Sequence, residues 1–399
     1  MAEWRTYTKK IPINCYWRHE IPSASRYCSF RERRRALMRI SDEWLKADRN
    51  NLTLVRLILA SAVIISHSYW FVYGVEGEDS FSVFLGRPIS GFAVDGFFFL
   101  SGFLVYGSLI RRHDIWDFLR ARLARLWPAL FVSVSLTAIG GLWFTSAPSW
   151  SDYFQGATGS FLLRNLLLQG GAYTLTGVSC GEGGCPVNGS LWTIAWEVRC
   201  YVLLALLLPL GLAGEKVMAR VVLPLTFAGA LLWHVVPHPG PEAGGIFYLI
   251  DMVDRLWTMF ALGIAAYIFR ERILLSWWGG LALLVAMLVE NRTGLDLHIH
   301  SLFIGYVVLC GGFLTARGGA VSGRWPDYSY GIYIYAFPVM MLIGSYWTFT
   351  HYGLLALVSA LATLPLAALS WHYVEKPVLD GVKRWSSVQR ARIAGNVVN

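Results

Sequence analysis

Charge is what this chain has least of. Only 15% of its 399 residues are Asp, Glu, Lys or Arg, against about a quarter in an ordinary soluble protein. So few charges cannot clothe a soluble body of this size, and the mean hydropathy is +0.48. Cysteine is scarce too. The six present do not fall at metal-ligand spacing, and no His/Glu cluster along the chain suggests zinc, so no metal is expected. Ser101 lacks the Gly-x-Ser-x-Gly surround of an esterase nucleophile. No internal repeat is evident. The first fifty residues are polar and basic, so no cleavable secretion signal is expected there.

The chain does have apolar residues, 55% of the total, gathered into long runs. Windows of membrane-spanning length fall at 52–72, 91–110, 126–145, 190–211, 221–236, 249–269, 273–290, 299–316, 327–347 and 352–373. The fold expected is an all-α polytopic membrane bundle of about ten transmembrane helices. Residues 1–50 form a basic leader, 51–377 the membrane domain and 378–399 a basic tail.

Lys and Arg set the orientation. With the N-terminus cytoplasmic, inner segments hold Arg111, Arg112, Arg120, Arg122, Arg125, Lys216, Arg220, Arg270, Arg272, Arg317 and Arg324, while outer loops hold Arg87, Arg164 and Arg292. Both termini are therefore expected in the cytoplasm. The formal net charge of +9 is then a topology signal and gives no support to nucleic-acid binding. Basic inner loops suit anionic lipid or a phosphorylated cofactor. Phe30, Leu37, Ile40 and Trp44 recur at helical spacing among arginines, which predicts an amphipathic surface helix over 30–48, or else a disordered leader. Cys180 and Cys185 lie in a long outer loop, 146–189, where a local disulfide would form under oxidising conditions. Cys200 and Cys310 read as packing residues.

Titratable residues inside apolar runs carry the chemistry, because ions in hydrocarbon are costly and by default face a cavity, pair or mark function. Arg56 and His67 are eleven residues apart in the first run. Eleven residues are about three helical turns and a rise of roughly 16 Å, so the two share a face. Alternatively, Arg56 reaches back to the inner surface and His67 is a core histidine. Asp95, one turn inside the second run, is either a carboxylate orienting His67 or a helix-start acid favoured by the dipole. Arg122 and Arg125, three apart, present two guanidinium forks on one face. They form a phosphate site or serve only the positive-inside bias. Glu197 and Arg199 lie deep in the fourth run. They are two apart, so they cannot face each other and need other partners or a wet cavity. Asp251 and Arg255 read as an i, i+4 structural pair.

Together these residues resemble the acyltransferase 3 family of integral membrane O-acyltransferases. The matching segments, in order, are Arg56 with His67; Val94-Asp95-Gly-Phe-Phe-Phe-Leu-Ser101-Gly-Phe-Leu; Arg122-Leu-Ala-Arg125-Leu-Trp-Pro128; Gly189-Ser-Leu-Trp192 with Glu197; Ser329-Tyr330-Gly-Ile-Tyr333-Ile-Tyr-Ala336-Phe-Pro338; and Tyr373-Val-Glu375-Lys-Pro377. They span about 52–377. The resemblance implies ten helices and transfer of an acyl group, often acetyl from acetyl-CoA, to a hydroxyl of a glycan or lipid-linked saccharide. It implies His67 as the essential histidine, Arg56 as its partner, and Arg122 with Arg125 as a second pair. Two positions depart from the pattern: Thr53 stands where many members carry Asp, and Ala336 where many carry His.

The reading is an O-acyltransferase of a bacterial inner membrane that uses acyl-CoA, a glycan acceptor and no metal. His67, Asp95 and Glu197 are the expected catalytic residues. Arg56, Arg122 and Arg125 are expected on the cofactor, and Trp192, Arg199, Tyr330 and Tyr333 on the substrate. The rival is a proton-coupled transporter of a small polar or anionic solute. Asn188-Gly-Ser and Asn291-Arg-Thr are outer-loop glycosylation sequons.

Overall fold

The computed structural model of the protein describes residues 38–75, 77–112, 114–179, 186–240, 244–293 and 298–396. Among them no β-strand is present. A helix lies under each of the ten apolar windows. We number these α1 (Leu52–Tyr73), α2 (Ile89–Arg112), α3 (Ile115–Gly140), α4 (Leu191–Leu206), α5 (Glu215–Val235), α6 (245–268), α7 (Trp277–Thr293), α8 (Ile299–Gly318), α9 (Ser329–Tyr346) and α10 (Tyr352–Gln389). Six of them, α1, α2, α3, α5, α8 and α10, are long and apolar enough to cross a membrane by themselves. The chain is therefore a membrane protein. Of the other four, α4 and α7 are only 16 and 17 residues long. Helix α6 carries Asp251, Asp254 and Arg255, and α9 is rich in Tyr and Gly.

Local sequence sets the helix ends. Asp114 caps α3 by accepting hydrogen bonds from the backbone N–H groups of Trp116 and Asp117. Gly74 ends α1 in the left-handed region at φ 70°, donating its N–H to Trp70 O. Pro128, Pro338 and Pro365 sit inside α3, α9 and α10, where neighbouring helices can meet the backbone groups they free.

Helix α2 is the axle of the bundle. It packs against α1, α3, α4, α6 and α8 and buries fourteen of its residues, as an all-round apolar helix should. Its closest neighbour is α6. A Cβ on Gly102 would lie 1.9 Å from the Phe260 carbonyl oxygen, and one on Gly263 would lie 2.0 Å from that of Phe99. The small-residue contact expected at Ser101-Gly102 is thus a backbone-to-backbone crossing.

The segment 146–189 is not a simple outer loop. Its helix Ala157–Leu166 runs back along α3. Trp127 Nε1 donates to Leu166 O at 3.0 Å, and Arg199 donates to Gln169 O at 2.8 Å. Trp127 is thirteen residues from the α3 end at Gly140, so the segment re-enters about 20 Å along that helix. Irregular backbone at such depth is tolerated where protein covers it, and Thr158, Phe161 and Asn165 are buried. Asn188 is fully buried and donates to Ile334 O at 2.9 Å. Its sequon is therefore not an exposed acceptor, because the amide is already spent on α9. Cys180 and Cys185 lie outside the described residues.

The expected surface helix over 30–48 falls partly outside them as well. Its described portion holds two short 3-10 turns, Asp42–Leu45 and Ala47–Arg49. The basic tail continues α10 as a helix through Asn396. It docks on α3, with Arg120 over the Trp385 ring at 4.4 Å and Ser386 Oγ donating to Asp117.

Candidate active site

An interior cavity of about 130 Å³ lies where α1, α2, α3, α4 and α9 meet. Arg56, Arg122, Arg125, Glu197, Tyr330 and Tyr333 all line it. Six of the ten site residues expected from the sequence therefore share one chamber.

The arginines differ in what they hold. Arg125 is held twice, by Asp327 Oδ2 at 2.7 Å and Glu375 Oε2 at 3.0 Å. Arg56 Nη2 reaches the same Asp327 oxygen at 3.1 Å. Ser329 donates to the other oxygen of Asp327, and Ser370 donates to Glu375 at 3.1 Å. This network ties α1, α3, α9 and α10 together. It also supplies a carboxylate to Arg56, although Thr53 replaces the usual Asp. Arg122, by contrast, makes no hydrogen bond or ion pair among the described residues, and its Nε is buried without a partner. The two arginines are therefore not an equivalent fork.

Glu197 accepts from Ser101 Oγ at 2.6 Å and from the Tyr201 hydroxyl. Ser101 thus serves as a donor to a carboxylate. Tyr333 meets Thr193 Oγ1 at 2.7 Å and packs edge-on to Phe97. Tyr330 donates to Leu126 O at 2.8 Å.

Four expected residues lie elsewhere. His67 is half-buried, edge-on to Phe337 with ring centroids 5.0 Å apart. Among the described residues nothing hydrogen-bonds its ring, and it does not line the cavity. Asp95 makes no hydrogen bond to it among the described residues. Ser66 and Ser90 hydroxyls meet at 2.9 Å, and Asp95 lies five residues beyond Ser90, about 7 Å further along α2. Asp95 is fully buried between Arg87 and Arg255, each at 3.0 Å. Arg255 is thereby drawn away from Asp251, the partner expected for it. Residues Val253–Trp257 form a π turn, whose wider winding offsets i, i+4 alignment. Asp251 instead accepts from Trp233 Nε1 at 2.8 Å. Arg199 is exposed, 4.5 Å over the Trp196 ring and bonded to Gln169. Trp192 is half-buried outside the cavity lining. Ala336 is buried in an apolar cluster with Ala60 and Ile64, so packing accounts for it.

Sequence reasoning missed Asp327, Ser329 and Tyr201 as members of the site. Asp327 sits just before the Ser-Tyr-Gly-Ile-Tyr segment, and Glu375 within the closing Tyr-Val-Glu-Lys-Pro segment. An unpaired arginine surplus in the membrane was the signal that such carboxylates had to exist.

A membrane bundle enclosing a small chamber of arginine, glutamate and tyrosine is an acyltransferase scaffold by family as well. The chain belongs to the acyltransferase 3 family, whose acyltransferase domain matches residues 49–372. It is 29% identical over 367 residues to nodulation protein 10 of Rhizobium leguminosarum bv. viciae, covering 85% of this chain and 95% of that one. It is 28% identical over 351 residues to an O-acetyl transferase of Shigella phage Sf6, covering 83% and 96%. To the putative peptidoglycan O-acetyltransferase YrhL of Bacillus subtilis (strain 168) it is 25% identical over 325 residues, covering 71% and 50%. No solved structure matches it significantly. The protein is an integral membrane O-acyltransferase, which displaces the transporter reading.

Proposed function

We propose that the protein moves an acetyl group from cytoplasmic acetyl-CoA to a hydroxyl of an extracytoplasmic or lipid-linked glycan, in a bacterial inner membrane. The observation that carries this reading is Arg122, whose Nε is buried with no partner among the described residues, lining a chamber that Glu197 also lines. A desolvated cation of this kind calls for an anion, and an acyl-CoA offers phosphates. All ten helices cross the membrane in this reading, with both termini cytoplasmic. Arg56, Arg122 and Arg125 then lie toward the cytoplasmic side, where the donor is made. Arg125 and Arg56 act as positioning residues through Asp327 and Glu375, and Arg122 contacts the donor. The pantetheine arm runs from there toward the level of His67.

His67 is the general base. Among the described residues its ring has no competing hydrogen bond, so a lone pair is available for the acceptor hydroxyl. The alcohol oxygen attacks the thioester carbonyl carbon and the C–S bond breaks. The proton taken by His67 passes to the leaving thiolate. Glu197 and the Tyr201 and Ser101 hydroxyls hold the polar floor of the chamber, and Tyr330 and Tyr333 border the reacting group. Phosphatidyl lipid surrounds the bundle, and nucleic acid has no part in the reaction.

The test is release of free CoA thiol from acetyl-CoA by the purified protein. Release that rises on adding a glycan acceptor and appears as ester on that acceptor is expected. Transport of intact solute without thiol release would overturn the reading.

A further inference from the structure

Outside the chamber lining, three side chains of metal-binding type converge from α5, α6 and the turn before α8. A ring nitrogen of His234, a ring nitrogen of His298 and a carboxylate oxygen of Asp254 all lie within 4.8 Å of one another. None of the three lines the active-site cavity. His234 is in the last turn of α5, Asp254 in the π turn of α6, and His298 immediately precedes α8. His234 Nδ1 and Asp254 Oδ2 are 3.7 Å apart, and the two imidazoles meet edge-on with centroids 4.4 Å apart. Ligands of a tetrahedral zinc ion, at about 2.0–2.2 Å from the metal, are separated by about 3.4 Å. Small side-chain adjustments would therefore bring the three donors to that spacing.

The surroundings favour a prepared site. Glu290 is buried and accepts from the N–H groups of Ile299 at 3.1 Å and His300 at 3.3 Å, which fastens the turn bearing His298. Two imidazoles with one carboxylate select a borderline transition metal over the hard ions Mg²⁺ and Ca²⁺. Helix α5 has most to gain from such a tie, since only 17% of its apolar window is buried, the least of the six long spans. We propose that His234, Asp254 and His298 form a divalent transition-metal site of zinc type that fastens the end of α5 to α6 and α8. Linear spacing concealed it, because the ligands are 20 and 44 residues apart.

Cobalt titration of the full-length, untagged, chelator-stripped protein tests this. One Co²⁺ per chain should bind with visible ligand-field bands, and Zn²⁺ should displace it while excess Mg²⁺ does not. Asp254→Asn and His298→Asn should each weaken binding at least about 10- to 100-fold, the loss typical even of outer-sphere partners. Asn is chosen at position 298 because it accepts the left-handed backbone there, φ 56°. His351→Asn, remote in sequence from these ligands, should bind as wild type. Zn²⁺ should also raise the melting temperature of wild type and not of Asp254→Asn. Failure of the wild type to bind stoichiometrically, or wild-type affinity in both site variants, would overturn the proposal.

Discussion

Two arginines three residues apart show what a residue's neighbours decide and its spacing does not. Arg122 and Arg125 share a helix face, as their spacing indicates, yet one is paired twice and the other has no partner among the described residues. The carboxylates responsible, Asp327 and Glu375, lie 202 and 250 residues from Arg125 in sequence, so no local pattern could assign them. Different substitution results follow. Arg122→Lys keeps the charge and loses the planar fork. Acetyl-CoA should bind it roughly 10- to 150-fold more weakly, the equivalent of one charged hydrogen bond of about 1.5–3 kcal/mol, with melting unchanged. Arg125→Ala strands Glu375 in the bundle and leaves Asp327 to Arg56, and stranding a buried charge costs about 3–5 kcal/mol. Its melting temperature in detergent should fall even without donor. Equal donor-binding defects with no loss of stability in either variant would show that both arginines touch the cofactor.

At the scale of elements, the apolar windows located the helices well, because length and hydropathy are local properties. What a helix meets was much less legible. The crossing of α2 and α6 needs Gly102 and Gly263 together, and nothing in either run identifies its partner. Gly102→Ala would set a methyl 1.9 Å from a backbone oxygen that cannot rotate aside. Helix separation is the remaining relief, so about 1–3 kcal/mol of stability should be lost, read as a lower melting temperature. Gly229→Ala, which meets nothing within 4 Å, is the control. The π turn that sends Arg255 to Asp95 and the re-entry of 157–169 beside α3 were equally hidden. Both depend on tertiary partners that override a regular period. Asn188 illustrates the consequence: a sequon by spelling, it is a buried amide by packing.

For the whole molecule, the basic residues gather at the end of the bundle holding Arg56, Arg112, Arg120 and Arg122. If that end is cytoplasmic, single cysteines placed in 378–389 should react with a membrane-impermeant thiol reagent only after the cells are opened. Residues 77–87, at the opposite end, should react in intact spheroplasts. Labelling in the reverse pattern would put the donor site on the wrong side for acetyl-CoA.

The central claim is that half-buried His67, outside the chamber lining, is the general base for acetyl transfer from a donor held by the chamber arginines. The direct measurement is transfer of radiolabelled acetyl from acetyl-CoA to envelope glycan in sealed vesicles, with wild type and His67→Ala present at equal, folded amounts. General-base loss typically costs about 10²–10⁴-fold. The account predicts that label on the glycan falls by at least that lower bound while acetyl-CoA still binds. Transfer by His67→Ala within tenfold of wild type would contradict it.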